Sequence, residues 1–323
     1  MMEYVLRDPK PSRAQCTRAE CSVYMPGEKR VNVPKVVSTR RPQHKPKLGQ
    51  HFLASDDFAA QIVDALGDVS QSTVLEIGPG RGVLTSLLAK RARRLIAVEL
   101  DRVLAAQLRL RFGMFSNVEV IEADILSIDF DSLFGPKPGL RHPGIEFKPE
   151  PVKVIGNLPY FITSDILLRL FDYARYFETI VILVQREVAD RIAAEPGSRD
   201  YGLLSATAQL HARVDKLFTL PPGAFAPPPK VHSTALRLTM APRQKELGLD
   251  KGDTQNGFID FLKLSFGQKR KTLWNNLKSN YPEAHLRAAL ARAGVKPAAR
   301  AETLSLEESA ALYRALRNNH DGS

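Results

Sequence analysis

The sequence predicts an α/β fold: a doubly wound, mostly parallel sheet followed by a small all-helical domain. Three observations predict it. Short β-rich runs alternate with helical stretches from residue 58 to residue 184, a glycine-rich turn follows the first run, and no strand pattern is found beyond residue 243. Because neighbouring parallel strands must be joined by a crossover, usually a helix, this alternation is typical of a sheet with helices on both faces.

The strands of the predicted sheet are short apolar runs rich in β-branched residues. In chain order they span residues 73–77, 95–98, 118–121, 152–155, 180–184, 214–220 and 234–240. Apolar residues at helical spacing fill residues 58–66, 83–89, 103–112 and 165–174. A proline-rich stretch separates the last two strands, which we expect to be appended to the parallel strands as a pair.

Composition divides the 323 residues into three predicted parts: a leader over 1–46, an α/β domain over 47–242 and a helical domain over 243–323. The leader shows no helical or strand period and holds six prolines, so we expect it to be disordered. Its Cys16 and Cys21 are the only cysteines, which predicts free thiols, with no disulfide framework and no metal quartet. No secretory signal or membrane-spanning run is recognised, so a cytoplasmic location is expected.

The net charge of +11 is concentrated at the two ends of the chain. Lys and Arg outnumber Asp and Glu by 10 to 4 over residues 1–46 and by 14 to 9 over residues 243–323, whereas residues 47–242 hold 22 of each. Basic residues gain binding energy by displacing counterions from phosphates, so this surplus suggests a polyanion partner. A solvated basic surface would give the same count, and charge alone does not separate the two.

A cofactor site is predicted at the turn Gly78-Pro79-Gly80-Arg81-Gly82, which runs from the first strand into a helix. Glycines there let the backbone turn sharply and approach a ligand closely. Glu99 ends the second strand, 21 residues after Gly78, where a carboxylate can bind ribose hydroxyls. Nicotinamide enzymes share such features but usually carry GxGxxG. The GxGxG pattern, with Pro79 inside it, looks instead like the first motif of class I methyltransferases, and Asp124 then fits as the residue facing the cofactor's adenine.

The chemistry is predicted from Asn157-Leu158-Pro159-Tyr160, directly after the fourth strand. This segment resembles the motif of enzymes that methylate exocyclic amines of bases. The amine is a poor nucleophile because its lone pair is delocalised into the ring. The Asn157 side-chain oxygen and a carbonyl of the Leu158–Pro159 stretch are expected to accept its N–H groups and so localise that lone pair. Pro159 restricts the backbone, and Tyr160 offers a stacking face.

Taken together, the motifs closely resemble the ribosomal RNA adenine dimethyltransferase family, of the small-subunit KsgA/RsmA type. The resemblance runs from Lys47 to about Leu306. Its motifs are residues 48–53, 76–82, 99–101, 124, 157–160, 185–189, 196–198, 201–202, 221–225, 227–231, 269–273 and 300–302. It implies a class I methyltransferase with a Rossmann-like, mostly parallel seven-stranded sheet.

The resemblance also implies a reaction and a set of binding residues. The family dimethylates the N6 amines of two adjacent adenines in the 3′-end hairpin loop of small-subunit (16S) rRNA, during small-subunit biogenesis. S-adenosyl-L-methionine is the methyl donor, S-adenosylhomocysteine is the product, and no metal is required. The implied cofactor-binding positions are His51, Leu53, Gly78, Glu99, Asp124 and Asn157. We expect a monomer that acts on rRNA in an immature small subunit and needs no membrane.

Two further predictions concern RNA, which we expect the helical domain over 243–323 to bind. The resemblance gives Phe225 the role of a second stacking face over the target base. The basic cluster Lys269-Arg270-Lys271 suits phosphate binding, although a solvated helix face would look the same.

Two residues depart from the family pattern, in which Asn often stands at position 51 and directly after the motif's Tyr. Here His51 can still bind near the cofactor, and Phe161 is expected to pack rather than to stack on a base.

Three other functions share some of these features. A large-subunit rRNA adenine dimethylase of the resistance type shares the chemistry, but Leu158 and the segment 185–201 favour the small-subunit type. A non-catalytic ribosome assembly factor would not need the intact turn 78–82, Glu99 and Asn157. An oxidoreductase is disfavoured by the segment 157–160.

Overall fold

The structure, a computed structural model, describes residues 51–136, 150–249 and 254–317. The predictions made for residues 1–46 lie outside the described residues. The strands are β1 (Phe52–Leu53), β2 (Thr73–Ile77), β3 (Arg94–Glu99), β4 (Val118–Glu122), β5 (Val152–Asn157), β6 (Phe177–Gln185), β7 (Ala212–Leu220), β8 (Phe225–Ala226) and β9 (Ser233–Met240). The helices are α1 (Asp56–Asp64), α2 (Val83–Leu88), α3 (Arg102–Phe112), α4 (Phe130–Phe134), α5 (Thr163–Asp172), α6 (Arg186–Ile192), α7 (Leu203–His211), α8 (Thr254–Ser265), α9 (Leu273–Leu277), α10 (Glu283–Arg292) and α11 (Leu306–Arg317).

Seven strands form one sheet in the order β4-β3-β2-β5-β6-β9-β7. The pairs from β4 through β6 are parallel, and β9 is antiparallel to both of its neighbours. The predicted doubly wound, mostly parallel seven-stranded sheet is therefore confirmed. The order reverses between β2 and β5, and ligands of open α/β sheets bind where the strand order reverses, outside the carboxyl ends of the strands.

Both faces of the sheet are buried, which explains why its central strands are apolar along their length. Successive side chains of a strand point to opposite faces. Accordingly, Leu75 and Ile77 belong to one hydrophobic cluster together with residues of α5 and α7, whereas Val74 belongs to a second cluster together with residues of α1 and α2. All five residues of β2 are buried.

Helix α7 was not predicted. Seven of its nine residues are buried, including Ser205, Thr207 and His211, so its polar residues do not mark a solvent-facing side. Amphipathic periodicity is the signal by which a helix is recognised from sequence, and a helix buried nearly all round lacks it.

The helices beyond residue 249 share a core with α7. Leu210 of α7 lies in the same hydrophobic cluster as Phe258, Leu286 and Leu312. This cluster crosses the boundary predicted between residues 242 and 243, so the division into two domains stays a prediction. In the described part of the chain, none of the helices is both long and apolar enough to cross a bilayer.

A separate two-stranded sheet joins distant parts of the chain. β1 pairs antiparallel with β8, so that Leu53 lies opposite Phe225 and Phe52 opposite Ala226. Neither strand was predicted, because each has only two residues, too few to show an alternation of apolar and polar side chains. This pair brings the segment around His51 to the proline-rich stretch that precedes β9.

Candidate active site

The turn after β2 adopts backbone conformations that favour glycine at three positions. Gly78, Gly80 and Gly82 have φ values of 65°, 57° and 76°. A Cβ atom at Gly80 would also lie 2.8 Å from Cδ1 of Phe52, and one at Gly82 would lie 2.8 Å from Cδ2 of Leu108. A Cβ atom at Gly78 would meet no clash, since its nearest neighbour would be the Asn157 carbonyl oxygen at 3.9 Å, an ordinary van der Waals contact. Backbone conformation therefore favours glycine at all three positions, and close packing against Phe52 and Leu108 adds to this preference at Gly80 and Gly82.

Glu99 links this turn to the end of β3. Its carboxylate is 3 % exposed and accepts hydrogen bonds from the backbone N–H of Gly80, at 3.0 Å, and of Asp101, at 2.9 Å. Asp101 in turn caps α3 by accepting from Val103 N and Leu104 N. Each carboxylate oxygen has a second lone pair, so Glu99 can still bind a ligand hydroxyl while it holds the turn in place.

Glu76 belongs to this site but was not assigned a role from the sequence. Its carboxyl group is 1 % exposed, Thr85 Oγ1 donates to its Oε2 at 2.7 Å, and Oε1 has no hydrogen-bond partner in the described structure. Burial raises the pKa of Glu76 to about 8, with a smaller contribution from the nearby Glu99 charge and against the opposing hydrogen bond from Thr85. The signal available in the sequence was an acidic residue inside the otherwise apolar strand β2.

Asn157 ends β5, beside the glycine turn. Its Nδ2 donates to the backbone carbonyl oxygen of His51 at 2.9 Å. A carbonyl oxygen only accepts, so this contact assigns the nitrogen and oxygen ends of the amide. Oδ1 is therefore the end available to accept an N–H from a ligand.

The backbone of the next two residues differs in its available acceptors. The carbonyl oxygen of Pro159 accepts from Ile162 N at 3.2 Å and from Thr163 Oγ1 at 3.0 Å, which uses both of its lone pairs. Leu158 is buried at 1 % exposure, and its N–H donates to the Leu183 carbonyl at 3.0 Å. Of the two carbonyls considered from the sequence, the structure thus favours that of Leu158 as the acceptor for an amine.

Tyr160 is half-buried and held at both its hydroxyl and its ring. The hydroxyl lies 2.8 Å from Ser233 Oγ of β9, and the ring is stacked with that of His51 at a centroid distance of 5.9 Å and an interplanar angle of 27°. Burial raises the pKa of Tyr160, so the phenol is neutral at physiological pH. Ser233 was not predicted as a site residue; it stands two residues after the recognised segment 227–231.

His51 is positioned by three contacts with the predicted site. Besides its contacts with Asn157 and Tyr160, its Nδ1 lies 2.9 Å from the carbonyl oxygen of Pro227. Since that oxygen only accepts, Nδ1 carries the proton in this contact. The structure therefore brings together His51, Gly78, Glu99 and Asn157, with Leu53 next to them in β1.

The other predicted polar residues make hydrogen bonds of their own, although the residue before Asp124 is bonded to Glu99, since Ala123 N donates to the Glu99 carbonyl at 3.0 Å. Asp124 is exposed, and its Oδ1 accepts from Leu126 N at 2.9 Å. Lys269, Arg270 and Lys271 are exposed on the segment between α8 and α9, where Lys269 Nζ donates to the Arg199 carbonyl.

Two phenylalanines differ from expectation. Phe161 does not pack: it is 61 % exposed, so the prediction that it packs is wrong. The reason is that Pro159 to Thr163 form a turn that places the side chain outside the core. Phe225, in contrast, is 3 % exposed within the hydrophobic cluster that contains Leu53 and Ile62. Its role as a second stacking face stays a prediction, and this role requires the side chain to become accessible to a base.

The chain resembles known proteins over most of its length. Residues 41–318 match the family described as ribosomal RNA adenine dimethylase. The chain is 56 % identical over 287 residues to a ribosomal RNA small subunit methyltransferase A of Koribacter versatilis, covering 88 % of this chain and 99 % of the relative. It is 54 % identical over 277 residues to the protein of that name from Acidobacterium capsulatum, covering 85 % and 92 %.

Two solved structures share the fold. The 23S rRNA methyltransferase ErmE is 28 % identical, with a TM-score of 0.58 and a match covering 82 % of this chain and 99 % of that one. A dimethyladenosine transferase from Plasmodium falciparum is 23 % identical, with a TM-score of 0.63 over 81 % of this chain and 96 % of that one. The predicted fold class and the predicted enzyme class, an rRNA adenine methyltransferase, are confirmed. The chain belongs to the ribosomal RNA adenine dimethylase family.

Proposed function

We propose that this protein uses S-adenosyl-L-methionine to dimethylate the N6 amines of two adjacent adenines in the 3′-end hairpin loop of small-subunit (16S) rRNA. The observation that carries the proposal is the hydrogen bond from Asn157 Nδ2 to the His51 carbonyl. It leaves Asn157 Oδ1, next to the Leu158 carbonyl, as an acceptor at the carboxyl end of the central strand. An exocyclic amine has two N–H groups, and these two oxygens match them in number and chemistry.

The residues at the turn fit the cofactor. The glycine turn has no side chain between its backbone and an approaching ligand, and the buried Glu99 carboxylate offers lone pairs for ribose hydroxyls. His51 and Leu53 are the residues we assign to its methionine end, and Asp124 to its adenine. When bound, S-adenosylmethionine supplies a methyl group on a sulfonium, and S-adenosylhomocysteine is the product. We propose no metal.

The protein contributes positioning rather than a base. Asn157 Oδ1 and the Leu158 carbonyl accept the two N–H groups and localise the nitrogen lone pair, while the Tyr160 ring supports the adenine. Asn157 is an amide and cannot take a proton. Tyr160 is a neutral phenol whose oxygen already contacts Ser233. We therefore assign the proton released on methylation to water.

The relatives support the small subunit as the source of the substrate. The two bacterial relatives named for the small subunit are 56 % and 54 % identical to this chain, whereas the 23S enzyme ErmE is 28 % identical. Dimethylation of large-subunit rRNA is therefore the second candidate. We propose that the protein acts as a cytoplasmic monomer on an immature small subunit, with Lys269, Arg270 and Lys271 contacting phosphates.

Labelled S-adenosylmethionine tests these assignments. The protein is incubated with immature small subunits, with large subunits and with naked rRNA, and the labelled nucleotides are mapped. We expect dimethyladenosine at two neighbouring adenines of the small-subunit fraction. Label confined to the large subunit would favour the second candidate, and the absence of label from the small-subunit fraction would overturn the main proposal.

A further inference from the structure

Six large apolar side chains are exposed in the part of the chain that the structure describes. Four of them, Leu100, Val103, Leu110 and Met114, lie on or beside α3. The other two, Phe161 at 61 % exposure and Val231 at 42 %, lie on two segments that also carry residues of the candidate site. Exposing an aromatic ring to water has a cost in free energy, and at a functional site this indicates a surface that is covered when a ligand binds.

The two side chains belong to segments that are bonded to each other. Phe161 directly follows Tyr160, and Val231 stands two residues before Ser233. The contact of 2.8 Å between the Tyr160 hydroxyl and Ser233 Oγ joins the segments. Phe161 and Val231 therefore stand on the two segments that meet at Tyr160, whose ring we assign to the target adenine, and we call this pair of side chains the apolar rim.

Positive charge accompanies the apolar rim. Arg186 and Lys230 are exposed, and the Arg186 N–H donates to the His232 carbonyl at 3.0 Å, which places the start of α6 beside the segment carrying Val231. An exposed aromatic ring next to basic side chains matches a nucleotide, whose base stacks on the ring while its phosphate meets the charge.

We infer that the apolar rim receives the nucleobase adjacent to the target adenine, with Phe161 as its stacking face. The inference rests on the proposed function and extends its site from one base to two. An enzyme that takes a base out of its stack also removes that base from its neighbour, which then lacks a stacking partner. Phe161 replaces this missing stack, and Val231 covers the edge of the same base.

RNA binding to the full chain in the presence of S-adenosylhomocysteine tests this role. The probes are two fluorescently labelled hairpins whose loops carry an adenine followed either by a second adenine or by an abasic residue. We expect Phe161→Ala to weaken binding of the two-adenine hairpin roughly tenfold, within the range known for base–aromatic stacks. Binding of the abasic hairpin should change less than about twofold, because it has no base to stack at that position.

Two further variants complete the experiment. Phe161→Tyr keeps an aromatic face and should restore binding of the two-adenine hairpin. Leu110→Ala removes another exposed apolar side chain, 85 % exposed on α3, and should bind both hairpins as the unsubstituted chain does. The inference is overturned if Phe161→Ala matches Leu110→Ala, or if it weakens both hairpins equally. Failure of the proposed function would appear separately, as a lack of methyl transfer by the unsubstituted chain, while the binding contrast still decides the role of Phe161.

Discussion

The side-chain amide of Asn157 is oriented by the backbone of His51, through a hydrogen bond of 2.9 Å between residues 106 positions apart in the chain. Because the bond occupies the nitrogen end of the amide, the oxygen end is left for the substrate. The N-terminal segment of the described structure thus determines which atom of Asn157 meets the adenine amine.

Asn157→Ala removes this acceptor. We expect methyl transfer in a single turnover to fall at least about 100-fold, the scale on which removal of one oriented polar group acts on a transition state. Cofactor affinity, measured by calorimetry, should stay within several-fold of the original. Asn280→Ala, at an exposed position on the segment after α9, is the control and should leave both quantities unchanged. An unaltered transfer rate in Asn157→Ala would remove the positioning role.

Glu76 makes folding stability depend on pH. Its pKa rises from 4.5 to about 8 on folding, chiefly because of burial, so between these values the folded state binds more protons than the unfolded state. Stability is then present at low pH and is lost as the pH rises, by at most about 1.4 kcal/mol per pH unit. Glu76→Gln stays neutral and should abolish this slope in urea denaturation between pH 5 and pH 8. The exposed Glu178→Gln should retain it, and equal slopes in the two variants would contradict the assignment.

Lys153 ties β5 to the segment after α1. Its Nζ, in a residue that is 8 % exposed, donates to the carbonyl oxygens of Leu66 at 3.0 Å and Asp68 at 2.6 Å. Lys153→Met keeps the apolar stem but leaves both carbonyls without this donor, so we expect a loss of about 2 kcal/mol in the free energy of unfolding. Denaturant titration measures it. The exposed Lys90→Met should change stability by less than about 0.5 kcal/mol, and a similarly small effect at Lys153 would refute the bonding role.

The basic cluster at residues 269–271 is expected to act through phosphates. Lys269 already donates to the Arg199 carbonyl, so Arg270 and Lys271 should contribute more to RNA binding. The double substitution Arg270→Ala and Lys271→Ala should lower the slope of log K against log salt by about 0.7 to 0.9 for each phosphate that the variant no longer neutralises. Lys296→Ala, also exposed, is the control. A slope that stays the same would place the phosphate-binding residues elsewhere.

The structural roles that could be predicted from sequence are those indicated by a pattern of neighbouring residues. The run Thr73–Ile77 is mostly apolar, with Glu76 as the exception, because both faces of its strand are buried, and its predicted bounds match those observed. The glycine turn was recognised because three positions adopt positive φ, which other residues rarely tolerate. Residues 157–160 were recognised because the reaction needs adjacent acceptors and a stacking face in one short segment.

The sequence by itself determined the fold class, the family and the segments that form the site, because burial period, turn geometry and short motifs are encoded within a few neighbouring residues. Only the tertiary structure decided which end of the Asn157 amide is available, that the Pro159 carbonyl is already used, that Phe225 is buried and that Phe161 is exposed. Each of these depends on where the chain folds back, as in the pairing of β1 with β8. Hydrogen-bond partners and burial are set by contacts between distant residues, and no local pattern records them.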